Sequence, residues 1–335
     1  MFSKTQKIRP IKLTIIAISF IILICWGFHN PLENRLRLLY GRFVSNNSTM
    51  QWINYVEAWY DATDSQSFGI DQISDNSKVS GWQSSKIRYN TPINLIQNDD
   101  KSKPLYITKG IAGLPSLKFD GIDDFLFSKH IQPNVFQYKS ASLFAVIKND
   151  QITTPANQQT LFYQEGVCQK YFDVSIDRLS ASGNFDSDHN CQPSQSSRYL
   201  LNFTSKKYLD SHYILGLVFK RDDFANHHEY KITLYINGHA QDIQIIKVPK
   251  NILAKPSLNP DNMSFGNFYL GGKTLSNEIA RPTTKPSLNQ IFNNFQGLIG
   301  EIIIFNCSLN QNDQYLLEKY LGRKWNIKIN KRDYE

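Results

Sequence analysis

The chain has 335 residues, 41% of them hydrophobic and 20% charged, with 5 Trp, 17 Tyr and 21 Phe. That composition belongs to a globular protein with a large core and excludes a disordered, collagen-like or disulfide-dense chain; the weight of Asn, Ser, Ile, Tyr and Phe over Ala, Glu and Leu also excludes an all-helical bundle. The net charge is +8, but Lys4, Lys7, Arg9 and Lys12 supply four of those charges and the other bases are scattered, whereas a nucleic-acid binder gathers them along one face.

In chain order, residues 1–12 form a basic segment without an acid, and residues 13–32 carry no formal charge. At about 1.5 Å per residue this stretch reaches about 30 Å, the thickness of a bilayer's hydrocarbon core, and no polar stripe marks a side meant for water. Leu13, Phe20 and Phe28 mark the start, middle and end of its most apolar part. The run leaves through Cys25-Trp26-Gly27-Phe28-His29, which lacks the small residues a signal peptidase needs. The expectation is therefore an uncleaved transmembrane signal anchor; cleavage would make the protein secreted instead. Four bases precede the span and Arg35, Arg37 and Arg42 follow it, which places the N-terminus in the cytoplasm and the rest outside a cytoplasmic (inner) membrane. Residues 33–50 are a juxtamembrane connector. Leu32, Leu36, Leu39, Tyr40 and Phe43 have helical spacing across its start and could, together with the span, support self-association.

Residues 51–329 read as one all-β domain, with 330–335 as a tail. Runs rich in β-branched and aromatic residues fall at 56–60, 116–119, 125–127, 142–148, 160–163, 171–176, 199–203, 212–220, 229–236, 242–248, 268–270 and 298–305, separated by turn signals. Asn237-Gly238 between two such runs is a strong hairpin signal. One helix is expected at 310–325, capped by Asn310, with Leu316, Leu317, Tyr320, Leu321 and Trp325 as its apolar stripe. Cys168 and Cys191 flank polar loop sequence and are expected to form a disulfide outside an oxidising barrier, and Cys307 to be a buried thiol. In a cytosolic placement all three would stay reduced.

Two acidic groupings could hold calcium. Asp186, Asp188 and Asn190 offer oxygen ligands at alternate positions, although Cys191 stands where a calcium loop needs Gly and Ser197 where it needs an acid. Asp120, Asp123 and Asp124 could ligate an ion at a sandwich rim or merely cap the turn after Phe119. His227-His228-Glu229 has no second ligand pair at zinc-like spacing. Residues 267–274 approach a phosphate loop, but Asn267 replaces the first glycine. Neither Gly-x-Ser-x-Gly nor His-Glu-x-x-His occurs.

Several segments resemble bacterial LamG-like domains of the concanavalin A-like lectin/glucanase superfamily: Ala58-Trp59-Tyr60-Asp61-Ala62, Lys103-Pro104-Leu105-Tyr106, the stretch from Gly113 to Leu126, the closing stretch from Phe295 to Asn306, and Tyr320-Leu321-Gly322-Arg323-Lys324-Trp325. The resemblance implies a two-sheet antiparallel jelly roll. Members usually carry an Asp two residues after the Trp matched by Trp82, where this chain has Ser84. Glucanases of the superfamily place carboxylates at alternate positions of one strand as Glu-x-Asp, and none of Glu57, Glu165, Glu229, Glu278, Glu301 and Glu318 is followed by such an Asp. The expectation is a non-catalytic recognition module that binds a glycan or surface protein through rim loops, with calcium as a candidate cofactor and none required. A structural subunit of an envelope or cell-surface assembly is the alternative, and a glycan-cleaving enzyme is disfavoured.

Overall fold

A computed structural model describes residues 53, 55–69, 73–85, 94–128, 140–150, 159–165, 171–175, 180–184, 198–200, 211–249, 268–274, 291–292 and 294–329. The expected span with Leu13, Phe20 and Phe28, the connector 33–50, the Cys168–Cys191 bridge and the Asp186, Asp188, Asn190 grouping lie outside these residues. Among the described residues no helix is long and apolar enough to cross a membrane. The chain divides into Met1–Met50 and Gln51–Glu335, and everything described belongs to the second unit.

The strands of the N-terminal half are β1 (Val56–Asp61), β2 (Ser77–Lys78), β3 (Gly81–Gln83), β4 (Asn94–Ile96), β5 (Leu105–Ile107), β6 (Ser116–Asp120), β7 (Leu126–Ser128) and β8 (Ser140–Asn149). Then come β9 (Thr160–Glu165), β10 (Tyr171–Ser175), β11 (Ser180–Asn184), β12 (Arg198–Leu200), β13 (His212–Asp223), β14 (His227–Ile236) and β15 (His239–Pro249). The last are β16 (Phe268–Leu270), β17 (Lys273–Thr274), β18 (Ile291–Phe292) and β19 (Gln296–Phe305), followed by helix α1 (Gln311–Lys324). One sheet has the order β15-β14-β13-β8-β19-β6-β5-β2, with β1 also paired to β19; the other runs β12-β11-β10-β9-β16-β7-β4-β3, and β17 and β18 form a separate ribbon. The ladders between these strands are antiparallel, as in β13 with β8 and β16 with β9.

Alternation explains how the sheets pack. Leu143, Ala145 and Ile147 of β8 join Leu161 and Phe162 of β9 and Phe268 and Leu270 of β16 in one core between the sheets, while Phe144 and Val146 are buried on the opposite face. A strand covered on both faces loses the polar half of its pattern, which is why 143–147 is an unbroken apolar run. In β19 the register shifts between Ile299 and Glu301. This bulge lets Ile299 face the core and Ile302 and Ile304 do so again after it.

The hairpin and helix signals fold as their chemistry dictates. Asn237 and Gly238 both take positive φ, 51° and 86°, the geometry of a type I′ turn, and Asn237 Oδ1 accepts the Ile214 N–H at 2.8 Å. Asn310 caps α1 by accepting the Asp313 N–H at 2.9 Å. The buried face of the helix differs from the expected stripe, for Gln314 and Glu318 are buried beside Leu317 and Leu321 while Leu316 is half-exposed. The helix thus lies on a sheet face that carries polar partners. Cys307, expected to be buried, is a half-buried thiol.

Candidate functional site

The chain passes from one sheet to the other at the β6–β7 turn, residues 121–125. Asp120 ends β6 opposite Gln296 of β19, and the next residue must turn sharply. Gly121 does so at φ 78°, where a Cβ would also lie 2.7 Å from the Gln296 side chain. Asp120 Oδ1 accepts backbone N–H groups from Ile122 at 2.8 Å, Asp123 at 3.2 Å and Asp124 at 3.4 Å. Asp124 Oδ2 in turn accepts the Asp120 N–H at 2.9 Å. The neighbouring 97–102 loop is tied on by Gln97 Nε2 donating to Phe125 O at 3.1 Å and Phe125 N donating to Ser102 O at 3.2 Å. Turn capping and clustering therefore coexist, because capping occupies only one oxygen of Asp120 and one of Asp124.

Those two roles leave Asp120 Oδ2, Asp124 Oδ1 and the whole Asp123 carboxylate without a hydrogen-bond donor among the described residues. One carboxylate oxygen from each of Asp120, Asp123 and Asp124 lies within 4.8 Å of the others. Asp124 is only 5% exposed; its burial, reinforced by the charges of Asp120 and Asp123, raises its carboxyl to about 7. Burial and then the charges of Asp120 and Asp99 also raise Asp123, with Lys101 and Lys78 drawing it back. Asn294, 8% exposed, reaches into the same turn by donating from Nδ2 to Ile122 O, and its buried Oδ1 has no partner among the described residues. Above them Ile122 stands 76% exposed. This set of hard oxygen donors fits a calcium-like ion, which takes six to eight oxygens at about 2.3–2.6 Å. Such an ion would offset the mutual repulsion of the three crowded carboxylates.

Sequence reasoning missed a second polar centre, where the segments carrying the family resemblance converge. Glu301 Oε1 accepts Trp59 Nε1 at 2.7 Å and the Tyr320 hydroxyl at 3.3 Å, and Oε2 accepts Trp325 Nε1 at 2.7 Å. Lys324 Nζ lies 2.8 Å from the same Oε2 and 2.6 Å from Asp61 Oδ2. The other Asp61 oxygen accepts the N–H and hydroxyl of Thr63 at 2.9 and 2.7 Å. Burial pushes Glu301 up while Lys324 draws it back. Burial also works against the charge of Lys324, but Glu301 and Asp61 outweigh it and hold the ammonium above its ordinary range. With no exposed side-chain surface and donors on both oxygens, Glu301 has no lone pair to offer a substrate. The centre clamps α1 to β1 and β19. Its only sequence signal was the occurrence of Trp, Asp, Glu and Lys in otherwise apolar elements.

The remaining positions singled out in the sequence are accounted for locally. Ser84 is buried and its neighbour Ser85 donates its N–H to Trp59 O at 2.7 Å, so the departure from the family pattern lies inside the molecule. Gly271 follows β16 with a Cβ position 2.6 Å from the Phe119 ring, which makes 268–274 a strand end packed on the core. His227 and Glu229 face each other at 3.9 Å and belong to no grouping of metal ligands among the described residues.

No protein-family model matches the chain, and no curated protein matches it. Among solved structures it is similar to a Trypanosoma rangeli sialidase in complex with the inhibitor DANA, at 10% identity and a TM-score of 0.39, over 82% of this chain and 34% of that one. It is also similar to the receptor binding domain of botulinum neurotoxin mosaic serotype C/D, at 13% identity and a TM-score of 0.42, over 80% and 51%. The binding domain of botulinum neurotoxin serotype G matches at 10% identity and a TM-score of 0.41, over 80% and 51%. The chain thus spans about a third to a half of the length of the structures it matches. Its function has to be read from the residues of the site itself.

Proposed function

We propose that this chain is a non-catalytic recognition module of the LamG-like jelly-roll kind, held to a membrane by residues 13–32, which binds a glycan or surface protein through a cation-bearing rim. The observation that carries this reading is the turn at Asp120–Asp124, where three carboxylates crowd together beside the unsatisfied buried amide oxygen of Asn294. Asp120, Asp123 and Asp124 would hold the ion, with Asn294 as a neutral ligand. A rim-bound calcium supplies open coordination positions, and vicinal hydroxyls or a carboxylate of a partner are oxygen donors of the kind it accepts. The Asp120 cap would hold the turn that carries these ligands in place, and Ile122, 76% exposed, would be available nearby for apolar contact. The absence of a Glu-x-Asp pair and the saturation of Glu301 support a binding role over hydrolysis.

Glycan-array binding by the full-length chain, with calcium and then with EDTA, tests the proposal. Binding that EDTA abolishes supports it. Failure to bind any glycan, together with oligomers that depend on residues 13–50, would put a structural subunit of a surface assembly in its place.

A further inference from the structure

The turn that gathers the three carboxylates also carries the most exposed large apolar side chain among the described residues. Ile122 is 76% exposed, against 48% for Tyr55 and 45% for Phe224. Its main chain is held on both sides: the Ile122 N–H donates to Asp120 Oδ1 at 2.8 Å, and its carbonyl accepts Asn294 Nδ2. The backbone is thus fixed while the side chain projects, and the candidate ligands Asp120 and Asp123 stand on either side of it in the chain. Burying an aliphatic side chain is favourable, and nothing in the fold does so for this one.

Bases accompany the acids at this rim. The charges of Lys78 and Lys101 both draw on Asp123. Lys78 Nζ donates to the Asp100 carbonyl and Lys103 Nζ pairs with Asp100 Oδ1. Asp99 Oδ1 accepts the Lys101 N–H at 3.0 Å, but the Lys101 side chain is exposed and its ammonium has no ion-pair partner among the described residues. With every carboxyl ionised, Asp99, Asp100, Asp120, Asp123 and Asp124 outnumber these three lysines by two charges, and a divalent ion cancels that excess. Beyond Asp120 on the neighbouring strands, Lys118 and Lys148 offset Asp150. The loaded rim therefore presents no net repulsion to an anion, whereas the unloaded rim does.

We propose that the cation-loaded rim docks on the headgroups of an anionic phospholipid surface, the ion and Lys101 taking phosphate oxygens while Ile122 enters the layer between them. Phosphate oxygens are hard donors of the kind a calcium-like ion accepts at its open positions. A free ammonium beside the ion adds attraction to anionic lipid, and a projecting aliphatic side chain adds buried apolar area. Hydroxyls of a sugar could fill the ion's positions equally well, but they leave Ile122 and Lys101 without a complement. The docking rests on the reading of this turn as a cation site.

The test holds the full-length chain in nanodiscs of phosphatidylcholine alone and measures its capture by separate vesicles of phosphatidylcholine with phosphatidylglycerol, in calcium and in EDTA. Comparison of Ile122→Ser and Lys101→Ala with the unsubstituted chain isolates the rim, since residues 13–32 are the same in all three. Calorimetry reads calcium uptake by each protein. Capture that requires calcium, falls roughly tenfold in Ile122→Ser, weakens in Lys101→Ala and is absent with vesicles of phosphatidylcholine alone supports the docking. Calcium uptake without capture, or capture that neither EDTA nor Ile122→Ser weakens, overturns the docking and leaves the cation site standing. No calcium uptake by the unsubstituted chain overturns the cation site and the docking with it.

Discussion

Asp124 and Glu301 are both buried carboxylates, and their surroundings give them opposite roles. Glu301 is met by two indole N–H groups, a hydroxyl and an ammonium, so the desolvation that its burial costs is offset by donors fixed in place. Asp124 has one backbone donor and two carboxylates for neighbours, so a proton or a cation must supply what the chain does not. The consequence for stability has a definite sign. With the folded carboxyl at about 7 against an ordinary value of 3.8, the folded state between those limits holds a proton that the unfolded chain has released. Stability of the cation-free protein therefore falls as pH rises through that window. Thermal melts in EDTA are expected to show a lower Tm at pH 8 than at pH 5, and calcium at pH 8 to restore it. Asp124→Asn is expected to flatten the EDTA profile, because the amide never ionises, and a profile unchanged by this substitution would contradict the assignment.

The elements were legible where a local rule acts alone. The Asn237-Gly238 turn, the Asn310 cap and the long runs that became β8, β13, β14 and β19 all follow from propensity, alternation and turn chemistry. The short strands β2, β3, β4 and β5 have two or three residues each, too few for a period to register, and they exist because neighbouring strands offer them an edge. The helix face was misread for a related reason: Gln314 and Glu318 are buried on account of what faces them in the sheet, which helical periodicity cannot show. Glu301 was invisible as a centre because its partners come from residues 59 to 325 and only the fold assembles them. The Asp120, Asp123, Asp124 grouping, in contrast, is contiguous in sequence and could be named, while Asn294 enters it through the fold alone. The bulge at Gly300 belongs at this scale too. A Cβ there would lie 2.5 Å from the Trp325 ring, and that indole is held by Glu301. Gly300→Ala is expected to destabilise the domain by about 1–3 kcal/mol, as overpacking in a filled site does, read as a lowered urea midpoint. An unchanged midpoint would show that α1 is less firmly seated than the Glu301 clamp requires.

At the scale of the molecule, two antiparallel sheets share one core, and the ends of the sandwich differ in chemistry. One end carries the crowded carboxylates of the β6–β7 turn; the other, where Val56 pairs with Phe305, receives the chain at Tyr55 and projects the β13–β14 ribbon. The proposed recognition role would use that polarity, because the paired sheets hold the rim loops at a fixed place. The proposed recognition role depends on the rim binding a divalent cation. Calorimetric titration of the full-length chain with calcium at pH 7.5 measures it directly, alongside Asp123→Asn. Saturable binding that the substitution abolishes without lowering the Tm measured in EDTA is expected; no binding by the unsubstituted chain, or binding that Asp123→Asn leaves intact, would contradict a cation site at the rim.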